Sequence, residues 1–362
     1  MRVLFVALTG PRFAASRTRV FDYLPFLKAN GVHADVSVVL PDRISAWTYS
    51  RRGIGRLVHY IWVWWRSLLA GLRTLGSAPR YHVVFVQRVF FSAPIAWLLR
   101  FFSRKVIFDF DDAIFTTEAP GEDWMARLRT WHHSRGLARM LRAASRAVVE
   151  NTYTAAYAER YCPRVSIITG PIDTERYSPG RAVEECEGVV LGWIGSYTSA
   201  PYLELIRGPL AELGVRHHHL RLCLIGEGGF HTNAVPMEWR PWSLETEVQD
   251  LRGFDIGLMP LPDDPWTRGK GGYKLLQYLS LGIPAVSSPV GINREIVEDG
   301  VNGFCAGTHD EWVSCLERLI QDRALRHRLG KAGRARMEAR YSLNRSSRRL
   351  LRILNSAAPA QA

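Results

Sequence analysis

Short apolar runs alternate along this chain with longer stretches of helical periodicity, and the alternation continues to the far end. Val3–Leu8, Val32–Leu40, His82–Gln87, Lys105–Phe108 and Ala147–Glu150 read as apolar strands. Helices are expected at Arg17–Asn30 and near 122–144. Strands alternating with helices predict a parallel sheet wrapped on both faces. The same grammar restarts at the strand Val189–Ile194. It runs through the loop Gly195–Ser199, helix Tyr202–Leu213, strand Arg221–Ile225 and the Gly226-Glu227-Gly228 turn. Strand Ile256–Met259, helix Tyr273–Leu281, strand Ala285–Ser287 and a helical region from Asp310 complete it, before an Ala/Pro-rich tail expected to fray after Asn355.

The expected fold class is therefore α/β, with two doubly wound Rossmann-like domains facing across a cleft. At 362 residues the chain exceeds what one core usually fills. The boundaries are an N-terminal domain at 1–170, a linker at 171–187 rich in turn formers and charge, a second domain at 188–340, and a C-terminal helix and tail at 341–362.

Hydrophobic residues make up 47% and charged residues 22%, an ordinary globular balance that argues against long disorder. The five cysteines are scattered, without a C-x-x-C pair, which argues against a disulfide framework or structural zinc and favours a reducing compartment. The opening MRVLFVALTG is one strand long and lacks a cleavage signal, and no apolar run reaches the roughly 20 residues of a membrane span. A cytoplasmic protein, either soluble or peripheral on the inner face of a membrane, is the expectation. The net charge of +13 is unevenly spread: eleven Arg and Lys lie between Asp42 and Asp109 without one Asp or Glu. Such a field favours membrane lipid, nucleic acid or a phosphorylated substrate.

Gly269–Phe304 is the most informative stretch. Gly269, Gly271 and Gly272 let backbone N–H groups approach a ligand, and the following helix offers its positive N-terminus to an anion. Lys270 and Lys274 add full charges nearby, so the stretch reads as a cradle for a diphosphate. It resembles the C-terminal signature of the large retaining "group 1" glycosyltransferase family of GT-B architecture, which contains many bacterial polysaccharide and lipopolysaccharide transferases. PIDTERYSP, LGWIGSYTSAPYL and LIGEG are similar to other elements of that family, as are DFDDAIF and SRTRVFDYLPFLKANGV.

The resemblance implies a nucleotide-diphosphate sugar as co-substrate and a glycan or lipid-linked acceptor, with retention of configuration and no cofactor or metal. Donor contacts are expected from Gly195, Ser196, Arg268, Lys270, Gly271, Gly272, Lys274, Gln277 and Glu295; the family's usual Arg and Lys are not evident after Gly195-Ser196, so Arg268, Lys270 or Lys274 is expected to meet the phosphates instead. Two family glutamates, eight residues apart, are replaced here by Gly269 and Gln277. Gln277 can still hydrogen-bond ribose through its amide, whereas at position 269 only backbone or Lys270 is left for the sugar. Glu295 suits a helix cap equally well.

In the first half, Gly10, Arg17, Arg19, Glu150 and Asn151 lie at or after strand ends, where doubly wound sheets present ligands. The arginines suit an anionic ligand or a solvated helix face. Asp109 and Asp111 are the candidate catalytic carboxylates, either able to orient or deprotonate an acceptor hydroxyl; Asp112 suits a helix N-cap. The histidines lack ligand spacing and read as solvated. In Arg51–Arg73, Leu57, Ile61, Trp64, Leu68 and Leu72 form a helical stripe broadened by Trp62 and Trp65. That pattern suits a buried helix or one lying in an anionic membrane surface, and the acid-free arginines favour the membrane. Rival functions are a nucleotide-sugar 2-epimerase of the same architecture and a basic nucleic-acid-binding protein; no nucleic-acid motif is recognisable.

Overall fold

The structure is a computed structural model that describes residues 1–41, 54–103, 105–116, 124–180, 188–226 and 229–357. It forms two compact units, each built on a six-stranded sheet whose paired strands are all parallel.

The first sheet has the order β2-β1-β3-β4-β5-β6, from β1 (Arg2–Thr9), β2 (His33–Leu40), β3 (Val83–Gln87), β4 (Val106–Phe110), β5 (Arg146–Val149) and β6 (Val165–Ile167). Its helices are α1 (Ala14–Arg19), α2 (Leu24–Ala29), α3 (Ile54–Ser77), α4 (Ala93–Phe102), α5 (Trp124–Ala143) and α6 (Thr152–Glu159). β3 and β4 are buried at every position, because helices cover both faces. Asn151 caps α6 by accepting from the Thr154 N–H, in a box that Thr154 completes.

The second sheet has the order β12-β11-β10-β7-β8-β9, from β7 (Val189–Gly195), β8 (Leu220–Gly226), β9 (Met237–Arg240), β10 (Ile256–Met259), β11 (Ala285–Ser287) and β12 (Gly303–Cys305). It carries α7 (Arg207–Arg216), α8 (Glu247–Leu251), α9 (Pro265–Arg268), α10 (Tyr273–Ser280), α11 (Asn293–Ile296), α12 (His309–Gln321) and α13 (Arg323–Arg336). The buried Tyr278 hydroxyl ties two of its strands together: it accepts from the Ile194 N–H of β7 and donates to the Leu258 carbonyl of β10.

Two boundaries differ from the expectation. Ile172 and Tyr177, placed in the linker, are core residues of the second unit, and Arg334 pins that segment through the carbonyls of Thr174 and Tyr177. The rest of the expected linker, 181–187, lies outside the described residues. The last helix, α14 (Leu343–Ala357), belongs to the first unit, because Leu350, Ile353 and Leu354 complete the core around Val3, Phe5 and Leu27. The short segment Gly269–Gly271 also groups with the first unit.

Candidate functional site

Each sheet reverses its strand order once, at β1/β3 and at β7/β10. Ligands of doubly wound sheets bind beyond the carboxyl ends of strands at such points. At the first, the buried Ser16 hydroxyl lies 2.7 Å from Thr9 Oγ1 and donates to Gln87 Oε1 at 3.0 Å, joining the ends of β1 and β3. Gly10 sits in the same turn and is buried.

The carboxylates of β4 and β5 divide by depth. Asp109, on β4, is 1% exposed. Arg19 grips it through Nε, 3.1 Å from Oδ1, and through Nη2, and reaches Glu150 Oε2 with Nη1 at 2.8 Å. The Gly170 N–H donates to the other Glu150 oxygen, and Arg19 also donates to the Ile168 carbonyl. One buried cation therefore faces two buried carboxylates. Burial pushes Asp109 up to about 6 and Glu150 up to about 7, against the downward pull of Arg19. Burial opposes the charge of Arg19, yet Asp109 and Glu150 outweigh it and raise its pKa.

Arg19, expected at a ligand, is thus occupied by its own chain, and Arg17 is buried as well. Asp109, expected as a catalytic carboxylate, lies inside the unit with its oxygens engaged by Arg19. So deeply buried a carboxylate lacks the access to meet a substrate hydroxyl. Glu150, expected at a ligand-lining surface, is interior for the same reason.

Asp111 remains partly accessible, with its side chain 16% exposed. Arg88 Nη1 donates to both of its oxygens, at 3.0 and 3.2 Å, and lies 3.8 Å from Asp112. Arg88 follows β3 with φ +56°, a left-handed conformation that is uncommon outside glycine and clusters at functional sites. Sequence reasoning passed over Arg88; its only signal was its place directly after an apolar strand.

The segment Gly269–Gly271 packs against this region of the first unit. Asn151 Nδ2 donates to the Lys270 carbonyl at 3.0 Å. A Cβ on Gly269 would come within 2.2 Å of Ala113, and one on Gly271 within 2.3 Å of Glu150 Oε1. Close approach explains the glycines, and it leaves no room for the glutamate that the resembled family carries at 269.

In the second unit, Gly195 and Gly226 are register partners at the ends of β7 and β8. Gly226 has φ +115°, and a Cβ there would lie 1.8 Å from the Gly195 carbonyl oxygen. Gly272, the left-handed N-cap of α10, opens the helix with no side-chain cap hydrogen bond. Lys274 Nζ stands 5.5 Å above the Trp193 ring of β7, which brings a cation to the β7/β10 reversal. Ser196 directly follows β7, its hydroxyl 2.9 Å from that of Thr198. Arg268 is exposed and pairs with Asp263 at 2.6 Å, and Glu295 is exposed on α11.

Gln277, expected at the ribose, is 3% exposed and donates to the Tyr177 hydroxyl at 3.3 Å. That hydroxyl in turn bonds Glu247, which also accepts from Trp242 Nε1. The amide is turned into the unit, where it supports the segment entering it. Among the described residues no group of three His, Cys, Asp or Glu is placed to hold a metal ion.

Residues 265–336, spanning α9 to α13, match the family described as Glycosyl transferases group 1. A group 1 glycosyltransferase domain is thus matched by this stretch of the second unit. The matched residues include Gly272, Lys274 and α10, the part of the second unit just described. Among solved structures, this glycosyltransferase is similar to sucrose-phosphate synthase from Thermosynechococcus elongatus, at TM-score 0.76 and 13% identity over 98% of both chains. It is also similar to Anabaena HepE in complex with UDP and glucose, at 0.69 and 15% over 98% of this chain and 100% of that one. The lipopolysaccharide outer core galactosyltransferase WaaB follows at 0.62 and 13% over 98% and 99%. These likenesses show the GT-B fold. No curated protein sequence matches the chain.

Proposed function

We propose that this glycosyltransferase moves a sugar from a nucleoside-diphosphate donor to a hydroxyl of a glycan or lipid-linked acceptor, with retention of anomeric configuration. One observation carries the reading. The matched domain presents a left-handed glycine, the uncapped start of α10 and the Lys274 ammonium at one sheet reversal. Charge develops on the leaving diphosphate, and helix N–H groups with a nearby cation stabilise it without reorganising. The HepE structures, solved with UDP and with UDP-glucose, support a donor of that chemistry. Asp111, oriented by Arg88, is the carboxylate we assign to the acceptor hydroxyl.

The same reading places the enzyme on an anionic membrane, at the cytoplasmic face. On α3, Ile61, Trp64, Trp65 and Leu72 are each about half exposed, while Ala70, Gly71 and Thr74 face inward. The apolar stripe is therefore an outer surface and not core; the side chain of Leu57 lies outside the described residues. Trp97, Phe101 and Phe102 of α4 are exposed as well. Among the described residues no helix is long and apolar enough to cross a membrane. An exposed aromatic face among acid-free arginines suits the headgroup zone.

A thermal-shift screen of nucleoside-diphosphate sugars tests the donor. One donor is expected to raise the melting temperature and then to release its nucleotide faster when acceptor is added. Proton NMR of the product reads the anomeric configuration. Conversion of the donor alone into an epimer would replace transfer with the rival chemistry.

A further inference from the structure

Outside the sheet edges, the first unit has a groove of about 670 Å³ between α4 and α5, extending to the end of α6. Arg100 enters from α4, and Arg135, Arg139 and Arg142 from α5, with Tyr157 and Tyr161 at one side. Alanines at 93, 96, 138 and 143 keep it open. Neither α4 nor α5 contains an Asp or Glu, and among the described residues no carboxylate pairs with any of the four arginines. Four like charges lining one groove repel one another until an anion enters.

The guanidinium groups are partly ordered in advance. Arg135 stacks on Trp131 at 4.0 Å, Arg142 on Tyr161 at 4.8 Å, and Arg139 donates to the Phe91 carbonyl at 3.0 Å. Stacking uses the face of a guanidinium and leaves its in-plane N–H groups for oxygen acceptors, the geometry that phosphate takes. The groove opens beside exposed aromatics of its own helix, Trp97 at 60% and Phe101 at 68%. A site for a free anion gains nothing from such neighbours, whereas a phosphate attached to acyl chains does.

We infer that the Arg100–Arg142 groove binds the phosphoryl headgroup of an anionic membrane lipid. The inference rests on the membrane reading above and adds a defined pocket to it. The groove is lined by the outer helices, and none of its lining residues lies at the strand ends that carry Asp109, Asp111 and Glu150.

The test is calorimetric titration with dihexanoyl phosphatidic acid, a lipid soluble as a monomer. R100Q/R142Q is expected to weaken its binding at least tenfold, with an unchanged melting temperature as the fold control; if the double variant melts lower, R100Q alone carries the comparison. W64S/W65S is expected to bind the soluble lipid as the native chain does while losing attachment to vesicles. Equal affinity in R100Q/R142Q and the native chain would overturn the groove. Inorganic phosphate binding as tightly as the lipid would overturn the lipid assignment. If vesicles fail to bind but the arginine-dependent titration persists, the membrane reading falls and the groove stands.

Discussion

Arg19 Nη1 and Glu150 Oε2 lie 2.8 Å apart in the interior, joined from positions 131 residues apart in sequence. With Asp109 they make a buried set of one cation and two carboxylates. Removing the cation leaves both carboxylates uncompensated. Arg19→Met is expected to cost about 3–5 kcal/mol in urea unfolding. A loss below about 1 kcal/mol would show that water reaches the set.

The same set sets a pH dependence. Glu150 is raised from 4.5 to about 7, so the folded chain holds a proton that the unfolded chain releases at lower pH. The stabilisation is fully present below about 4.5 and is lost as pH rises through about 7; Asp109, raised to about 6, acts in the same direction. Urea midpoints between these values are expected to fall with pH, and Glu150→Gln to flatten the slope. An identical slope in that variant would remove Glu150 as the source.

Restoring the family glutamate by Gly269→Glu is expected to harm the protein. The new Cβ meets Ala113 at 2.2 Å, with the Ala113 backbone nitrogen at 2.8 Å behind it. Overpacking of this kind costs about 1–3 kcal/mol. A variant with native melting and higher turnover would show that the loop has room and that a missing glutamate limits the enzyme.

Lys274→Ala is expected to weaken donor binding by about 1.5–3 kcal/mol, the scale of a hydrogen bond to a charged group. Gln277→Ala is expected to lower stability with little change in donor affinity, since its amide meets Tyr177. Calorimetric titration of donor into both variants reads the contrast. The reverse pattern would place Gln277 at the ribose and Lys274 on the surface.

Asp111→Asn is expected to lower transfer about a hundred-fold or more while donor binding holds. Arg88→Gln is expected to lower it less, because Arg88 orients the carboxylate and does not meet the proton. Full turnover in Asp111→Asn would make the Arg88–Asp111 pair structural.

Sedimentation with anionic and neutral vesicles tests the outer face. Each basic residue near an anionic leaflet contributes about 1 kcal/mol, and buried Trp adds an apolar part that salt does not screen. Binding is expected to fall with ionic strength without vanishing. No preference for anionic vesicles would leave α3 with an exposed aromatic stripe and no partner.

The strands that lie deepest in the two sheets were legible along the chain. β1, β3, β4, β7, β8 and β10 are apolar nearly throughout, and a buried parallel strand leaves that mark at consecutive positions. β9 left little trace, because two of its four residues are exposed and its apolar run is broken. The Gly272–Lys274 helix start was legible too, since glycine, cation and helix are neighbours along the chain. Which charges stay accessible was decided by long-range packing. Asp109 and Asp111 are two residues apart and look alike in sequence, yet Arg19, 90 residues away, encloses one and Arg88 the other leaves partly open. Ala113 likewise decided that position 269 must be glycine. Local spacing records periodicity and propensity; burial of a charge depends on what distant segments bring against it.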